Sequence, residues 1–138
     1  ATLRRQETVE EDKILEELRY IKNRINTSSQ ILTDKQRTAF FFVLVPEQMI
    51  ILDTRKAAEL FARFDVPIAG YVVNRVLPPE LRAGNIPVYL RNRIQMQEKY
   101  LGDIRNSLGS QILAYVPEME RDITGLPMIE RLAERLFK

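Results

Sequence analysis

The chain has 138 residues, of which 45% are hydrophobic and 29% charged, as in a globular domain and unlike a disordered protein. Its formal net charge of +2 is too small to indicate binding to nucleic acid. Cysteine and histidine are both absent, which excludes disulfides, zinc sites built from thiolates or imidazoles, and catalytic pairs of a nucleophile with histidine.

The first predicted element is a long amphipathic helix from Leu3 to Ile25, which the polar run Asn26–Ser29 should end. Two interpretations of this helix stay open: its apolar stripe packs on the chain's own core, or it contacts a partner or client. The stripe consists of Ile14, Leu18, Ile21 and Ile25. Because the chain does not begin with methionine and the helix starts almost at once, we expect a piece of a longer protein. The densely charged start lacks the apolar region of a signal peptide. The absence of cysteine fits a reducing compartment, so we expect a cytoplasmic protein. We expect no transmembrane segment, since the apolar run Ala39–Val45 is too short for one.

Three short apolar runs alternate with helical patterns after this helix, which predicts an α/β fold with a parallel sheet. The first run, Ala39–Val45, should be buried on both faces of the sheet. The other strands are predicted at Ile68–Val73, ending at Asn74, and at Gln111–Val116. Helices are predicted at Glu47–Phe64 with an apolar face of Ile50, Ala57, Phe61 and Phe64, at Val88–Leu108 and at Leu126–Phe137, with a short turn near Glu80. About three strands with flanking helices indicate part of a larger sheet.

Candidate binding residues follow the strands, because ligands of parallel sheets lie beyond the carboxyl ends of the strands. Pro46 and Glu47 follow the first strand, and Asn74 and Arg75 follow the second. The Asn74 amide offers a donor and an acceptor that match N7 and N6 of adenine, although on position alone an asparagine that caps a turn is the preferred interpretation. Pro117 follows the third strand, where its ring and the adjacent backbone are able to cover a base.

The sequence contains no motif of a complete active site. None of its five glycines is followed by lysine, so a P-loop is missing, and the GxGxxG and GxSxG motifs are missing too. The neighbouring carboxylates Glu118, Glu120 and Asp122 are interpreted as solvated surface. The same interpretation is preferred for a cluster of arginines, with an anion or partner site as the alternative; it comprises Arg75, Arg82, Arg91 and Arg93.

Four segments of the chain resemble segments of a known protein family, and they occur in the same order as in that family. They are Thr38–Val43 with Pro46, Glu47, Asp53 and Thr54; Gly70–Asn74; Arg93–Leu101; and Val116–Glu120 with Gly125 and Leu126. With them, the chain resembles the C-terminal part of the arsenical pump-driving ATPases and of their eukaryotic relatives that target tail-anchored membrane proteins. Those proteins are P-loop ATPases of the MinD-like, deviant Walker A group. The resemblance covers roughly Thr38 to Phe137, and the first helix matches by position only.

The resemblance implies that residues 1–30 end a helical subdomain and that residues 31–138 form the C-terminal portion of an α/β nucleotide-binding domain. It implies that Asn74 reads adenine, with Arg75 beside it, and that Pro117, Glu118 and Met119 lie along the base and ribose. ATP and magnesium are the implied cofactors, whereas the P-loop and switch regions would lie upstream. The chain should therefore contain no catalytic residue and should be inactive alone.

The implied partners are a membrane pump subunit, a tail-anchored client, or a second copy in a homodimer. The metalloid-binding cysteines of the family have no counterpart here, so arsenite is not supported as the cargo. The alternative function is that of a non-catalytic α/β protein-interaction module. A Gly-Lys-Ser/Thr motif upstream of Ala1 in the gene would decide between the two.

The first testable prediction concerns zinc. Relatives that bridge two subunits with zinc carry Cys-x-x-Cys before the Arg93–Leu101 segment, at positions that correspond here to Pro87 and Leu90. Without thiolates or imidazoles, the purified chain should hold no stoichiometric zinc, as measured by elemental analysis after dialysis. One zinc ion per chain held by its side chains would contradict this prediction.

Overall fold

The computed structural model describes residues 2–137, with side chains from Asp12 onward. The predicted segments 1–30 and 31–138 include Ala1 and Lys138, which lie outside the described residues, and the division between a helical subdomain and a nucleotide-binding domain remains a prediction. The chain forms two compact units, Ala1–Thr38 and Ala39–Lys138. Its elements are α1 (Thr2–Thr33), β1 (Phe40–Leu44), α2 (Gln48–Arg63), β2 (Ile68–Val76), α3 (Val88–Leu108), β3 (Ile112–Pro117) and α4 (Gly125–Leu136), with short 3₁₀ turns at Pro79–Arg82 and Gly109–Gln111.

The first unit consists of α1 and the turn after it. The prediction that Asn26–Ser29 ends the helix is wrong, because α1 continues to Thr33. The hydroxyls of Thr27 and Thr33 each donate to the carbonyl four residues earlier at 2.9 Å, so these polar side chains are satisfied inside the helix. The chain leaves the helix at Asp34, whose carboxylate accepts a hydrogen bond from the Gln36 N–H at 2.9 Å and starts a turn.

The second unit is a three-stranded parallel sheet with helices, which confirms the predicted α/β class. The strand order is β1-β2-β3, and both pairings are parallel. Helices α2 and α3 connect the strands and contribute to one core with them, as expected for two crossovers of the same hand. At the centre of that core Leu44, Val73 and Ile104 are at most 1% exposed.

Strand β1 is covered on one face only. Leu44 is 1% exposed, whereas Phe41 and Val43 on the opposite face are 55% and 64% exposed. The expectation that this strand is buried on both faces is therefore wrong for the described part of the chain. The physical reason is that α2 and α3 pack on the same side of the sheet, while α4 packs against β3 and not against β1.

The buried face of α2 also differs from its prediction. Phe64, predicted to be part of the apolar face, follows the helix and is 68% exposed, whereas Ile51 and Thr54 are 5% and 9% exposed. The Thr54 hydroxyl donates to the Ile50 carbonyl at 2.7 Å, so it enters the core with its hydrogen bond satisfied. A pattern of apolar residues alone could not identify this threonine as a core residue.

Strand β2 is longer than predicted, since it continues past Asn74 to Val76. The reason is that β2 pairs with β3 a second time, at Val76 and Pro117, after an irregularity in the register beyond Val73. Asn74 and Arg75 therefore lie inside the last residues of the strand and not after them. By contrast, the bounds predicted for α3 are confirmed.

The core generates a prediction about stability. Ile104→Ala should lower the free energy of unfolding by about 2–5 kcal/mol, because a fully buried side chain leaves a cavity. Ile129→Ala is the matched control. Because Ile129 is 52% exposed, its truncation should lower the free energy of unfolding much less. Urea unfolding of the wild type and both variants tests this, and an equal loss in the two variants would contradict the assigned core.

Candidate functional site

The five predicted site residues line one pocket. This open pocket of about 500 Å³ lies at the carboxyl ends of β2 and β3 and includes the loop up to Ile123. Strand β2 contributes Asn74 and Arg75 to it, and the end of β3 with the following loop contributes Pro117, Glu118 and Met119. Residues separated by more than 40 positions thus face one space because the two strands are parallel neighbours.

Asn74 lies near the carboxyl end of β2 and is half-buried. Its Oδ1 accepts a hydrogen bond from the N–H of the next residue, Arg75, at 2.9 Å, so the side chain caps the backbone within the strand and not in the turn that the sequence left open as an alternative. An amide oxygen has a second lone pair, and nothing in the described part of the chain accepts a hydrogen bond from the Asn74 NH₂ group. Capping the backbone therefore leaves one acceptor position and two donors for a ligand.

Arg75 joins the two sides of the pocket. Its Nη2 and Nε donate to Glu118 Oε1 at 2.8 and 3.3 Å, and the Glu118 N–H donates to the Val76 carbonyl at 2.8 Å. The hydrogen bond and the negative charge of Glu118 raise the pKa of the Arg75 guanidinium. Since the arginine side chain is 60% exposed, this ion pair lies at the solvent side of the pocket and not in the core.

The acidic residues of the loop are engaged separately. Glu118 pairs with Arg75, and Glu120 accepts a hydrogen bond from Arg131 at 2.8 Å, which lowers the pKa of Glu120. Asp122 is exposed. Two carboxylates that share a proton would instead raise a pKa, so this arrangement agrees with a solvated surface and not with acid–base catalysis.

The arginine cluster does not converge on one anion site. Arg75 and Arg82 form ion pairs with Glu118 and Glu98, respectively, and Arg93 donates to the Tyr89 hydroxyl at 3.2 Å. Three of the four guanidiniums thus have separate partners, which agrees with the interpretation as solvated surface.

Pro46 and Glu47 lie in a different pocket from Asn74. This second pocket of about 470 Å³ lies between the start of α2 and the exposed side of α3. Pro46 and Glu47 at the end of β1 therefore do not line the pocket that contains Pro117, whereas Asn74 and Arg75 of β2 do.

Gln97 is a residue that the sequence did not single out. It projects from α3 to the end of β2, where its Nε2 donates to the Arg75 carbonyl at 3.1 Å and its Oε1 accepts from the Leu77 N–H at 2.6 Å. Gln97 belongs to the Arg93–Leu101 segment of the resemblance, but no pattern in the sequence connects it with Arg75. Only the fold brings these two residues together.

The sequence model of the anion-transporting ATPases matches residues 2–138. The chain belongs to the anion-transporting ATPase family. The match includes the first helix, which the resemblance had placed by position only.

Three similar ATPases share only a low sequence identity with the chain. A protein of Aquifex aeolicus described as a candidate arsenical pump-driving ATPase is 26% identical over 83% of the chain, which covers 29% of that protein. ATPase GET3A of Arabidopsis thaliana is 23% identical over 92% of the chain, which covers 35% of it. ATPase ASNA1 homolog 2 of Paramecium tetraurelia is 22% identical over 92% of the chain, which covers 38% of that protein. The chain thus spans about a third of the length of these ATPases.

Two further features, a membrane-spanning helix and a cluster of metal-binding side chains, are absent from the described part of the chain. No helix among residues 2–137 is long and apolar enough to cross a membrane. Among the side chains that the structure describes, from Asp12 to Phe137, no group of three or more acidic residues could hold a metal ion.

Proposed function

We propose that this chain supplies adenine recognition to a longer ATPase of the anion-transporting family. The observation that carries the proposal is the single pocket that contains Asn74, Arg75, Pro117, Glu118 and Met119 at the carboxyl ends of adjacent parallel strands. Family membership supports ATP as the ligand. The hydrogen-bonding capacity that remains on Asn74 supports recognition of its adenine base.

The chemistry of the pocket fits a purine base with an exocyclic amine. The Asn74 NH₂ group would donate to adenine N7, and Oδ1 would accept from the N6 amine through its second lone pair. The Pro117 ring and the backbone of Glu118 and Met119 would cover the base and the ribose. Guanine presents acceptors at both O6 and N7, so the Asn74 oxygen would oppose another acceptor and GTP would bind less well.

The phosphates and the magnesium ion would be held by parts of the protein upstream of this chain. A P-loop needs a glycine followed by lysine, and none of the five glycines here has that neighbour. In the parent, a cytoplasmic protein in this proposal, ATP binding and hydrolysis would drive a membrane pump or deliver a membrane-protein client. A homodimer fits this proposal only without a zinc clasp, because Pro87 and Leu90 replace its cysteines.

A second function, that of a protein-interaction module, is favoured by one observation on α1. The four residues of its apolar stripe are all exposed, with fractions between 52% and 62%; they are Ile14, Leu18, Ile21 and Ile25. Exposed apolar stripes of this kind are typical of surfaces that meet another helix or chain. Reading the gene upstream of Ala1 decides: a Gly-Lys-Ser/Thr motif favours the ATPase, and its absence favours the module.

Substitution of the base-reading residue is the main test. In the full-length parent, Asn74→Ala should weaken ATP binding by about 1–3 kcal/mol, because the amide contacts to the base are lost. Turnover at saturating ATP should change much less, since the base lies far from the γ-phosphate. Asn106→Ala on the exposed side of α3 is the matched control and should leave both values unchanged. Unchanged ATP affinity in Asn74→Ala would remove Asn74 from the site.

The 138-residue chain alone should neither hydrolyse ATP nor bind it tightly. Two hydrogen bonds to the base contribute about 0.5–1.5 kcal/mol each, which does not offset an association cost of roughly 4 kcal/mol or more. Isothermal titration and a phosphate-release assay measure this, with the full-length parent as the positive control. Sustained ATP hydrolysis by the isolated chain would contradict the proposed function.

A further inference from the structure

The end of β2 is held by a side chain of α3 in addition to its pairing with β3 at Val76. Pairing with β1 reaches only to Val73, opposite Leu44, and pairing with β3 is irregular between Val73 and Val76. The backbone around Arg75 therefore has no regular ladder on either side. The Gln97 amide substitutes for one, since Nε2 donates to the Arg75 carbonyl at 3.1 Å and Oε1 accepts from the Leu77 N–H at 2.6 Å.

This support acts where the backbone adopts an unfavourable conformation. Arg75 has a φ of 57°, in the left-handed region that residues other than glycine rarely occupy. Such a conformation persists when the surrounding structure holds it in more than one way. Gln97 binds backbone groups on both sides of Val76, and the Asn74 side chain caps the Arg75 N–H from the other direction.

The orientation of Asn74 depends on this arrangement. Its Oδ1 is held at 2.9 Å from the Arg75 N–H, so a rotation of the peptide between the two residues would turn the amide away from the pocket. The Arg75 carbonyl that Gln97 holds belongs to the same residue as that N–H. A change at Gln97 would therefore reach Asn74 through a single residue of backbone.

We propose that Gln97 is a positioning residue for adenine recognition, which holds the left-handed Arg75 and through it the Asn74 amide. The proposal rests on the proposed function, because it assigns Gln97 a role in the same pocket. Gln97 itself lies outside that pocket, since it lines the second pocket with Pro46 and Glu47, and would not touch the base. It deepens the proposed site by making the selectivity for adenine depend on a helix that does not contact the nucleotide.

The test compares three probes that separate the base from the phosphates. Affinities of the full-length parent for ATP, GTP and inorganic triphosphate are measured with magnesium by isothermal titration. Gln97→Met removes both amide contacts at nearly constant volume, and the same change at the exposed neighbour, Gln95→Met, is the matched control. Gln97→Met should lower the preference for ATP over GTP about tenfold, a loss of the size expected for two hydrogen bonds. Its triphosphate affinity should stay within about twofold of the wild type, as should all three affinities of Gln95→Met.

Gln97→Glu keeps the acceptor for the Leu77 N–H and loses the donor to the Arg75 carbonyl. It should also lower the preference for ATP, because a carboxylate oxygen would then oppose the Arg75 carbonyl oxygen at the position where Nε2 now donates. If Gln97→Met does not fold, Gln97→Glu carries the test alone, and a preference for ATP equal to that of the wild type would then overturn the proposal.

The remaining outcomes separate this inference from the proposed function. If Asn74→Ala abolishes the preference for ATP over GTP while Gln97→Met leaves it intact, the positioning role is wrong and the proposed function stands. An equal loss of affinity for all three probes in Gln97→Met would show a general structural role and overturn the inference. A wild-type parent that binds ATP, GTP and triphosphate equally, with no effect of Asn74→Ala, would overturn the proposed function itself.

Discussion

The backbone pairing of β2 with a parallel strand on each side is the constraint on which the rest of the structure depends. Parallel pairing requires long crossovers, and α2 and α3 supply them and bury the same face of the sheet. It also directs the carboxyl ends of all strands to one edge. Asn74 on β2 and Pro117 on β3 therefore reach the same pocket without any contact that is specific to the pair.

At that edge, the pairing of β2 with β1 stops at Val73, and its pairing with β3 is irregular between Val73 and Val76. Backbone groups that lose their ladder must find other partners, and a glutamine amide offers both a donor and an acceptor in one planar group. Gln97 thereby connects the core helix α3 with the residues that line the pocket. The ion pair of Arg75 with Glu118 joins the same strand ends on the solvent side, where it is more easily opened.

The exposed apolar face of the sheet agrees with the length of the chain relative to its family. Parallel sheets are ordinarily covered on both faces, yet Phe41 and Val43 are more than half exposed. The matched relatives are about three times as long as the segment that this chain covers in them. Both observations agree with the proposal that this chain is part of a longer ATPase with a larger sheet.

The sequence by itself determined the α/β class, the order of elements and the bounds of α3, because strands and helices impose different apolar periods on a chain. It also indicated the candidate pocket, since strand ends can be located from where apolar runs stop. Tertiary structure alone decided that Thr54 is a core residue, that β2 runs two residues past Asn74, and that Gln97 meets Arg75. Each of these depends on a hydrogen bond or a register between segments, and neither a residue's type nor its spacing along the chain records which distant backbone group will lie beside it.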